Sequence, residues 1–246
     1  MSQFIAHRGF PARYPENTMA SLAGALAVGA HYIEFDLQMS ADGVPVLLHN
    51  ANLQRMTGRN APVGMLNYAD IRPLKVHWPL HIGGACKGER VPTLSRVVQM
   101  LEHYPEVTIF VEIKRDAIRR FGDDFLTKVS QELSPLRGRV EILSVHRKAL
   151  QWMRQHEWPI GLIFETWSDS IRRKVDRLQP NSLFSDHKTI PENLENFWPG
   201  PWRWGFYEVN SLDVAQTLFL RGADFVETNN IEAMLSCSSC RLATSY

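Results

Sequence analysis

The sequence predicts an α/β fold, a (β/α)8 TIM-like barrel, and three observations carry that expectation. Short apolar runs alternate with amphipathic segments along the whole chain, the rhythm of a parallel sheet covered by helices. The length of 246 residues matches the ~250 that such a barrel uses. No Pro-, Gly- or Ser-rich tract divides the chain, so residues 1–246 are expected to form one barrel domain.

Taken in order, the strand candidates are QFIAH (3–7), HYIEFDL (31–37), VPVLLH (44–49), VTIFVEIK (107–114), VEILSV (140–145), PIGLIFE (159–165), NSLFS (181–185), RWGFYEV (203–209) and ADFVET (223–228). Helical apolar spacing fills most intervals. TMASLAGALAVG runs from Thr18 to a stop at Gly29; TLSRVVQMLEHY and SLDVAQTLFLRG open on the caps Thr93 and Ser211, and the latter closes on Gly222. Residues 58–92 fit neither a strand nor a long helix and are expected to be an insertion over one end of the barrel.

Nine strand candidates compete for eight barrel places. Too few residues separate IEFDLQ from VPVLLH for a crossover helix, and Asp42-Gly43 is a hairpin signal, so VPVLLH is the extra, antiparallel strand after strand 2. With Asp42 and Gly43 as the loop, His49 lies opposite Asp36; with the turn slipped, it lies opposite Glu34. Either register delivers an imidazole beside two carboxylates. Period two also places Glu112 and Lys114 on one strand face, and His7 and Arg8 end the first strand. All fall at the C-terminal strand ends, where barrels of this kind gather their chemistry. Three crowded acids require a cation, and all-oxygen ligation favours one hard divalent ion, Mg²⁺ or Ca²⁺, over zinc.

Composition narrows the partners. With 27 basic and 26 acidic residues and no long run of either sign, nothing suggests a nucleic-acid footprint or a membrane-binding basic patch. The opening MSQFIAHRGF is no secretory leader, and no apolar run approaches the ~20 residues of a span, so a soluble cytoplasmic protein without stable membrane association is expected. Cys86, Cys237 and Cys240 are expected to be free thiols, CSSC lacking a second pair or His cluster. The aromatic-rich NFWPGPWRWGFY is expected to pack the core rather than to stack ligands.

These residues resemble a known family. AHRGFPARYPENT, EFDLQMSADGVPVLLHN, EIK, YEVN and GADFVETNN are similar, in order and spacing, to the glycerophosphodiester phosphodiesterases, whose pattern runs His-Arg, Pro-Glu-Asn-Thr, Glu-x-Asp, Asp-Gly, His-Asp, Glu-x-Lys. The resemblance implies a barrel hydrolase that cleaves glycerophosphodiesters to glycerol 3-phosphate and an alcohol with a divalent ion. It places Glu34, Asp36 and Glu112 on the metal, His7 and His49 as the acid/base pair, Arg8 and Lys114 on the phosphate, and Glu16 as the residue that orients the arginine or the glycerol. Attack by water and attack by a glycerol hydroxyl of the substrate both suit this set. Three departures stand out: the family's His-Asp is His49-Asn50, its Trp-Thr-Val-Asn is Tyr207-Glu208-Val209-Asn210, and its Thr-Asp is Thr228-Asn229. Glu208 adds a carboxylate suited to a cationic head group such as choline. The alternative readings are a metal-binding barrel of weak or altered activity and a phospholipase-like enzyme acting on a lipid phosphodiester, for which VHWPLHIGG supplies a small apolar rim.

Overall fold

A computed structural model gives the protein's structure and describes residues 3–77 and 88–242, with side chains up to Ser236. All nine predicted runs form strands: β1 (Gln3–Ala6), β2 (Tyr32–Met39), β3 (Pro45–Leu47), β4 (Thr108–Ile113), β5 (Val140–Ser144), β6 (Ile160–Ile163), β7 (Ser182–Asp186), β8 (Arg203–Tyr207) and β9 (Phe225–Thr228). Eight of them pair in parallel, and β1 joins both β9 and β2, so the sheet closes into a barrel. The ninth, β3, is antiparallel to β2 and lies outside the ring.

Helices follow most strands. The first, α1 (Met19–Ala27), starts where the Thr18 hydroxyl accepts from Ser21 N, and Gly29 at φ +87° lets the chain turn away after it. Two single turns, α2 (Gln54–Thr57) and α3 (Tyr68–Ile71), precede α4 (Leu94–Leu101), which Thr93 caps by accepting from Arg96 N. Next come α5 (Arg115–Phe121), α6 (Asp123–Leu133), α7 (Arg147–Gln155), α8 (Asp169–Leu178), α9 (Leu212–Leu220) and α10 (Ile231–Leu242). Ser211 occupies the cap position of α9, but its side chain makes no capping bond, contrary to expectation. Among the described residues, none of these helices is long and apolar enough to cross a membrane.

The period of two along each strand sorts the core into two parts. Outward residues such as Ile33, Phe35 and Leu37 of β2 and Ile109, Val111 and Ile113 of β4 pack under the helices. Inward residues Ile5, Phe110, Leu143, Phe184 and Phe225 plug the lumen, with the Phe110 ring 5.5 Å from Phe184 and 5.3 Å from Phe225 in edge-on contact. The plug fits because the neighbouring strand carries glycine beside the ring: Gly205 of β8 pairs with Phe184 of β7, and a Cβ on it would lie 2.2 Å from the Phe184 ring. The polar residues of interest sit two positions beyond plug residues, His7 beyond Ile5 and Glu112 beyond Phe110. The plug is therefore the floor of the site.

Between β7 and β8 the chain makes only a 3-10 turn at His187–Thr189, and a loop of aromatics replaces the helix. Phe164 stacks on Trp198 at 5.4 Å and Trp167 on Trp204 at 5.2 Å, so this stretch packs the core, as expected.

Within the region expected to be an insertion, the described residues form only short pieces: a 3-10 turn at Val63–Met65, α3, and isolated bridges of Pro62 with Asn52 and of Lys75 with Arg90. Val63, Ile71, Val76 and Val91 join Val46, Leu48, Leu53 and Met56 in a separate small core beside β3. Most of VHWPLHIGG and Cys86 lie outside the described residues, as do the side chains of Cys237 and Cys240.

Candidate active site

The hairpin corrects one expectation. The observed pairs are Leu37 with Leu47, Gln38 with Val46 and Met39 with Pro45, which places neither Asp36 nor Glu34 opposite His49. Ser40 O accepts from Gly43 N, and Ser40 N donates to Val44 O, so the loop holds Ala41 as well as Asp42 and Gly43. With Gly43 at φ +79°, this is a three-residue turn with a left-handed glycine. His49 still reaches the carboxylates because β3 stops at Leu47 and the chain leaves the sheet. One ladder-like bond, Leu48 N to Asp36 O at 3.1 Å, carries it past the end of the strand.

The backbone after β1 is held in an unusual way. Arg8 at φ +53° and Asn17 at φ +55° both adopt the left-handed region without being glycine, a strain that surrounding bonds must compensate. Arg8 N donates to Glu34 Oε2 at 3.0 Å, and Asn17 N donates to Arg8 O at 3.0 Å. Asn17 Nδ2 donates to Asp36 Oδ2 at 2.7 Å while its Oδ1 accepts from Asp36 N at 3.1 Å. The Pro-Glu-Asn-Thr segment is thus a brace for β2 as well as the start of α1.

Every residue singled out from the sequence converges here. Arg8 Nε lies 3.0 Å from Asp36 Oδ2 and Arg8 Nη1 donates to Glu16 Oε1 at 3.2 Å. Lys114 Nζ lies 3.0 Å from Asp36 Oδ1 and 2.8 Å from Glu112 Oε1. His7 Nδ1 donates to Asn229 Oδ1 at 3.0 Å, leaving Nε2 3.9 Å from Glu227 and 4.0 Å from Glu34. His49 stands half-buried at the rim of the same cavity of about 450 Å³.

Three carboxylates, Glu34, Asp36 and Glu112, each offer one oxygen within 4.8 Å of the others. Asp36 Oδ1 is buried and makes no well-aligned hydrogen bond, its contact with Lys114 being an ion pair only. An acceptor left in that condition, among oxygen donors converging on one point, fits a hard divalent cation. The electrostatics agree. Burial first, and then Asp36 and Glu227, hold Glu34 well above its ordinary range; burial also pushes Glu112 up to about 7, Lys114 only partly offsetting it. Asp36 goes the other way: burial opposes its charge, but Lys114 and then Arg8 keep it well below the usual carboxylate range. Burial lowers His7 to about 3 and His49 to about 4, with Arg8 adding to both, so both rings are neutral at pH 7.

Some participants carried no assigned role in the sequence. Glu227, two residues beyond the plug residue Phe225, is buried on the lumen face and pushed up to about 8 by burial and by Glu112 and Asp36; the period of two in ADFVET would have found it. Arg55 carried no such signal. It clamps Glu16 with bonds of 3.0 and 2.5 Å and donates from Nε to Asn50 Oδ1 at 2.6 Å. Asn50 is therefore tied to Arg55 more closely than to His49, whose Nδ1 is 3.5 Å away. Glu208 faces the cavity mouth 3.9 Å from Lys188.

A closed eight-stranded barrel whose C-terminal mouth joins a carboxylate triad, two imidazoles and two partly buried cations defines a class of metal-assisted barrel hydrolases. The sequence profile of the glycerophosphoryl diester phosphodiesterase family matches residues 7–201, and the chain belongs to that family. Among curated relatives, it is 33% identical over 167 residues to glycerophosphodiester phosphodiesterase 1 of Bos taurus, covering 67% of this chain and 49% of that protein. It is 36% identical over 118 residues to a lysophospholipase D of Rattus norvegicus, covering 46% and 37%. The match thus spans about half or less of those two proteins' length. A glycerophosphodiester phosphodiesterase of Caldanaerobacter subterraneus is 26% identical over 240 residues, covering 94% and 96%. Among solved structures, a phosphodiesterase of Oleispira antarctica in complex with the product sn-glycerol 3-phosphate superposes with a TM-score of 0.86 at 21% identity, covering 97% of each chain; that likeness is one of fold.

Proposed function

We infer that this chain, as one barrel unit, hydrolyses small glycerophosphodiesters to glycerol 3-phosphate and an alcohol with the help of a divalent cation. The observation that carries the reading is the convergence of two neutral imidazoles, a triad of carboxylates and the partly buried cations Arg8 and Lys114 around one cavity, in a chain of the phosphodiesterase family. Glu34, Asp36 and Glu112 would hold the ion, Mg²⁺ or Ca²⁺. When bound, the ion supplies charge stabilisation at the phosphoryl oxygens.

The chain's own residues divide the remaining work. The phosphodiester carries one negative charge, and its transition state gathers more on the phosphoryl oxygens, where fixed cations lower the barrier. Arg8 suits this because an ion pair with Asp36 at Nε and a hydrogen bond to Glu16 from Nη1 hold its guanidinium in place, leaving Nη2 without a protein partner among the described residues. Lys114 is the second cation; burial opposes its charge, but Asp36 and Glu112 raise its pKa and keep it protonated. Glu16, clamped by Arg55, positions Arg8 rather than touching the phosphate itself.

The two histidines move protons. One, as the neutral ring, takes the proton of the attacking hydroxyl, and the other, protonated once the substrate phosphate sits beside it, gives its proton to the departing alcohol oxygen, each step contributing roughly 10²- to 10⁴-fold. With Nδ1 of His7 donating to Asn229, its Nε2 lone pair faces the cavity as a base. A phosphate anion beside either ring raises its basicity and offsets the lowering by burial.

The test is incubation of purified protein with glycerophosphocholine, glycerophosphoethanolamine and glycerophosphoglycerol, each with Mg²⁺, Ca²⁺ or chelator. Release of glycerol 3-phosphate that stops with chelator is expected. Absence of turnover with either ion would overturn the reading in favour of a binding barrel.

A further inference from the structure

Beside the mouth lies a second hollow of about 430 Å³ whose walls are basic. It opens where β5 passes into α7 and β6 into α8. Arg115, the first residue of α5, Arg147, the first of α7, and Lys174 of α8 line it, against a single carboxylate, Glu165. None of the three cations has an ion-pair partner among the described residues. Leu162, Phe164 and Ile171 give the hollow an apolar lining.

Nearby His146 responds to the same field. Its imidazole is held below its ordinary value by burial first and then by the positive charges of Arg119, Arg115 and Lys148, a local hydrogen bond opposing them. Cations gathered without counter-charges repel one another, and an anion placed among them removes that cost. Guanidinium groups match the oxygens of a phosphate in particular.

The hollow adjoins the active-site cavity. Val145, Ile163 and Glu165 line both. Any part of a substrate that extends from the scissile phosphate past Val145 and Ile163 therefore enters basic surroundings. Glu208 at the mouth favours a cationic extension instead, but Lys188 at 3.9 Å already offsets its charge.

We propose that this hollow is a subsite for a second anionic group, a phosphate carried by the leaving alcohol of the diester. The proposal rests on the phosphodiesterase reading and names its preferred substrate class: glycerophosphodiesters whose alcohol is itself phosphorylated. In the reaction the elements of water divide, the hydroxyl forming a new bond to phosphorus and the proton going to the alcohol oxygen as its bond to phosphorus breaks. Glycerol 3-phosphate and an alcohol phosphate leave.

The test compares kcat/KM for glycerophosphoglycerol, for the same compound bearing a terminal phosphate, and for glycerophosphocholine, with saturating divalent ion. The phosphorylated substrate is expected to be favoured over glycerophosphoglycerol by tenfold or more, with the advantage shrinking as ionic strength rises. The double variant Arg147→Gln with Lys174→Gln should lose the advantage and keep kcat/KM for glycerophosphoglycerol within about twofold of wild type, since neither residue belongs to the catalytic site. Equal kcat/KM for the two glycerol compounds, a preference for glycerophosphocholine, or an advantage that survives in the double variant would overturn the proposal. Calorimetric binding of the phosphorylated compound under chelator separates the two readings: a tenfold or greater loss of affinity in the double variant supports the subsite even if no diester is turned over. Equal affinity in both proteins refutes it even if turnover is normal.

Discussion

At the scale of single residues, the site depends on groups whose charge and proton state are set by neighbours. His7 and His49 are both neutral and neither belongs to the carboxylate triad. Replacing either by Ala is expected to lower kcat by roughly 10² or more while the thermal stabilisation given by Mg²⁺ or Ca²⁺ persists. Near-normal turnover would remove that histidine from the mechanism. Glu112→Gln behaves differently, since it deletes a charged oxygen donor without changing shape: activity and ion-induced stabilisation should fall together. Asn50 is informative because its side chain accepts from Arg55 at 2.6 Å. Asn50→Asp keeps that acceptor, strengthens its pairing with Arg55 and is expected to change kcat by less than tenfold, about 1.4 kcal/mol. A gain of a hundredfold would mean that an ionised group is needed beside His49 and that the wild-type site is a weakened one.

At the scale of elements, the barrel lumen is a fitted plug with a polar rim. Phe110, Phe184 and Phe225 fill the middle because Gly205 on β8 leaves room for the Phe184 ring, a Cβ there falling 2.2 Å from it. Gly205→Ala should therefore destabilise the fold by about 1 to 3 kcal/mol, as overpacking of a tight core does, and thermal or denaturant unfolding would read it. Activity should fall as well if the plug shifts toward Glu112 and Glu227. Unchanged stability would show that the Phe184 ring has room to move aside. The β2–β3 hairpin shows the same dependence of site on element: Gly43 sets a three-residue loop, and His49 arrives by leaving the strand.

At the scale of the whole molecule, ion binding and proton binding compete for the same carboxylates. Glu112 and Glu227 are raised to about 7 and about 8 from an ordinary 4.5. Without ion, the folded protein keeps these protons where the unfolded chain has lost them; that stabilising contribution is complete below pH 4.5 and is lost as pH rises through 7 to 8. The histidines act in the opposite sense. Their lowered values, about 3 and about 4, contribute stability that is present above 6.5 and lost as pH falls toward those values. A divalent ion displaces protons from the acids, so the Tm increase given by saturating Ca²⁺ or Mg²⁺ should be larger at pH 8 than at pH 6, with proton release measurable by calorimetry. Equal increases at the two pH values would sink the carboxylate cluster as the binding site.

The sequence by itself determined the barrel, because the period of two in nine apolar runs and the helical spacing between them are local patterns that survive without knowledge of packing. It also placed Glu34, Asp36, Glu112 and Lys114 on inward strand positions, since the period of two sets them on the same face as one another among otherwise apolar runs, while Glu227 and Arg55 were left without a role. Tertiary structure alone decided the rest. The hairpin register turned on one loop residue, Ala41, which a period argument cannot count. The partnership of Arg55 with Glu16 and Asn50 joins the segment before α1 to the turn after β3, and no local pattern carries a contact across 39 positions. The hold of Asn229 on His7 spans 222 positions and exists only because the ring closes β9 against β1. The proton states of the acids and imidazoles follow from burial above an aromatic plug, and burial belongs to the assembled barrel rather than to any one strand.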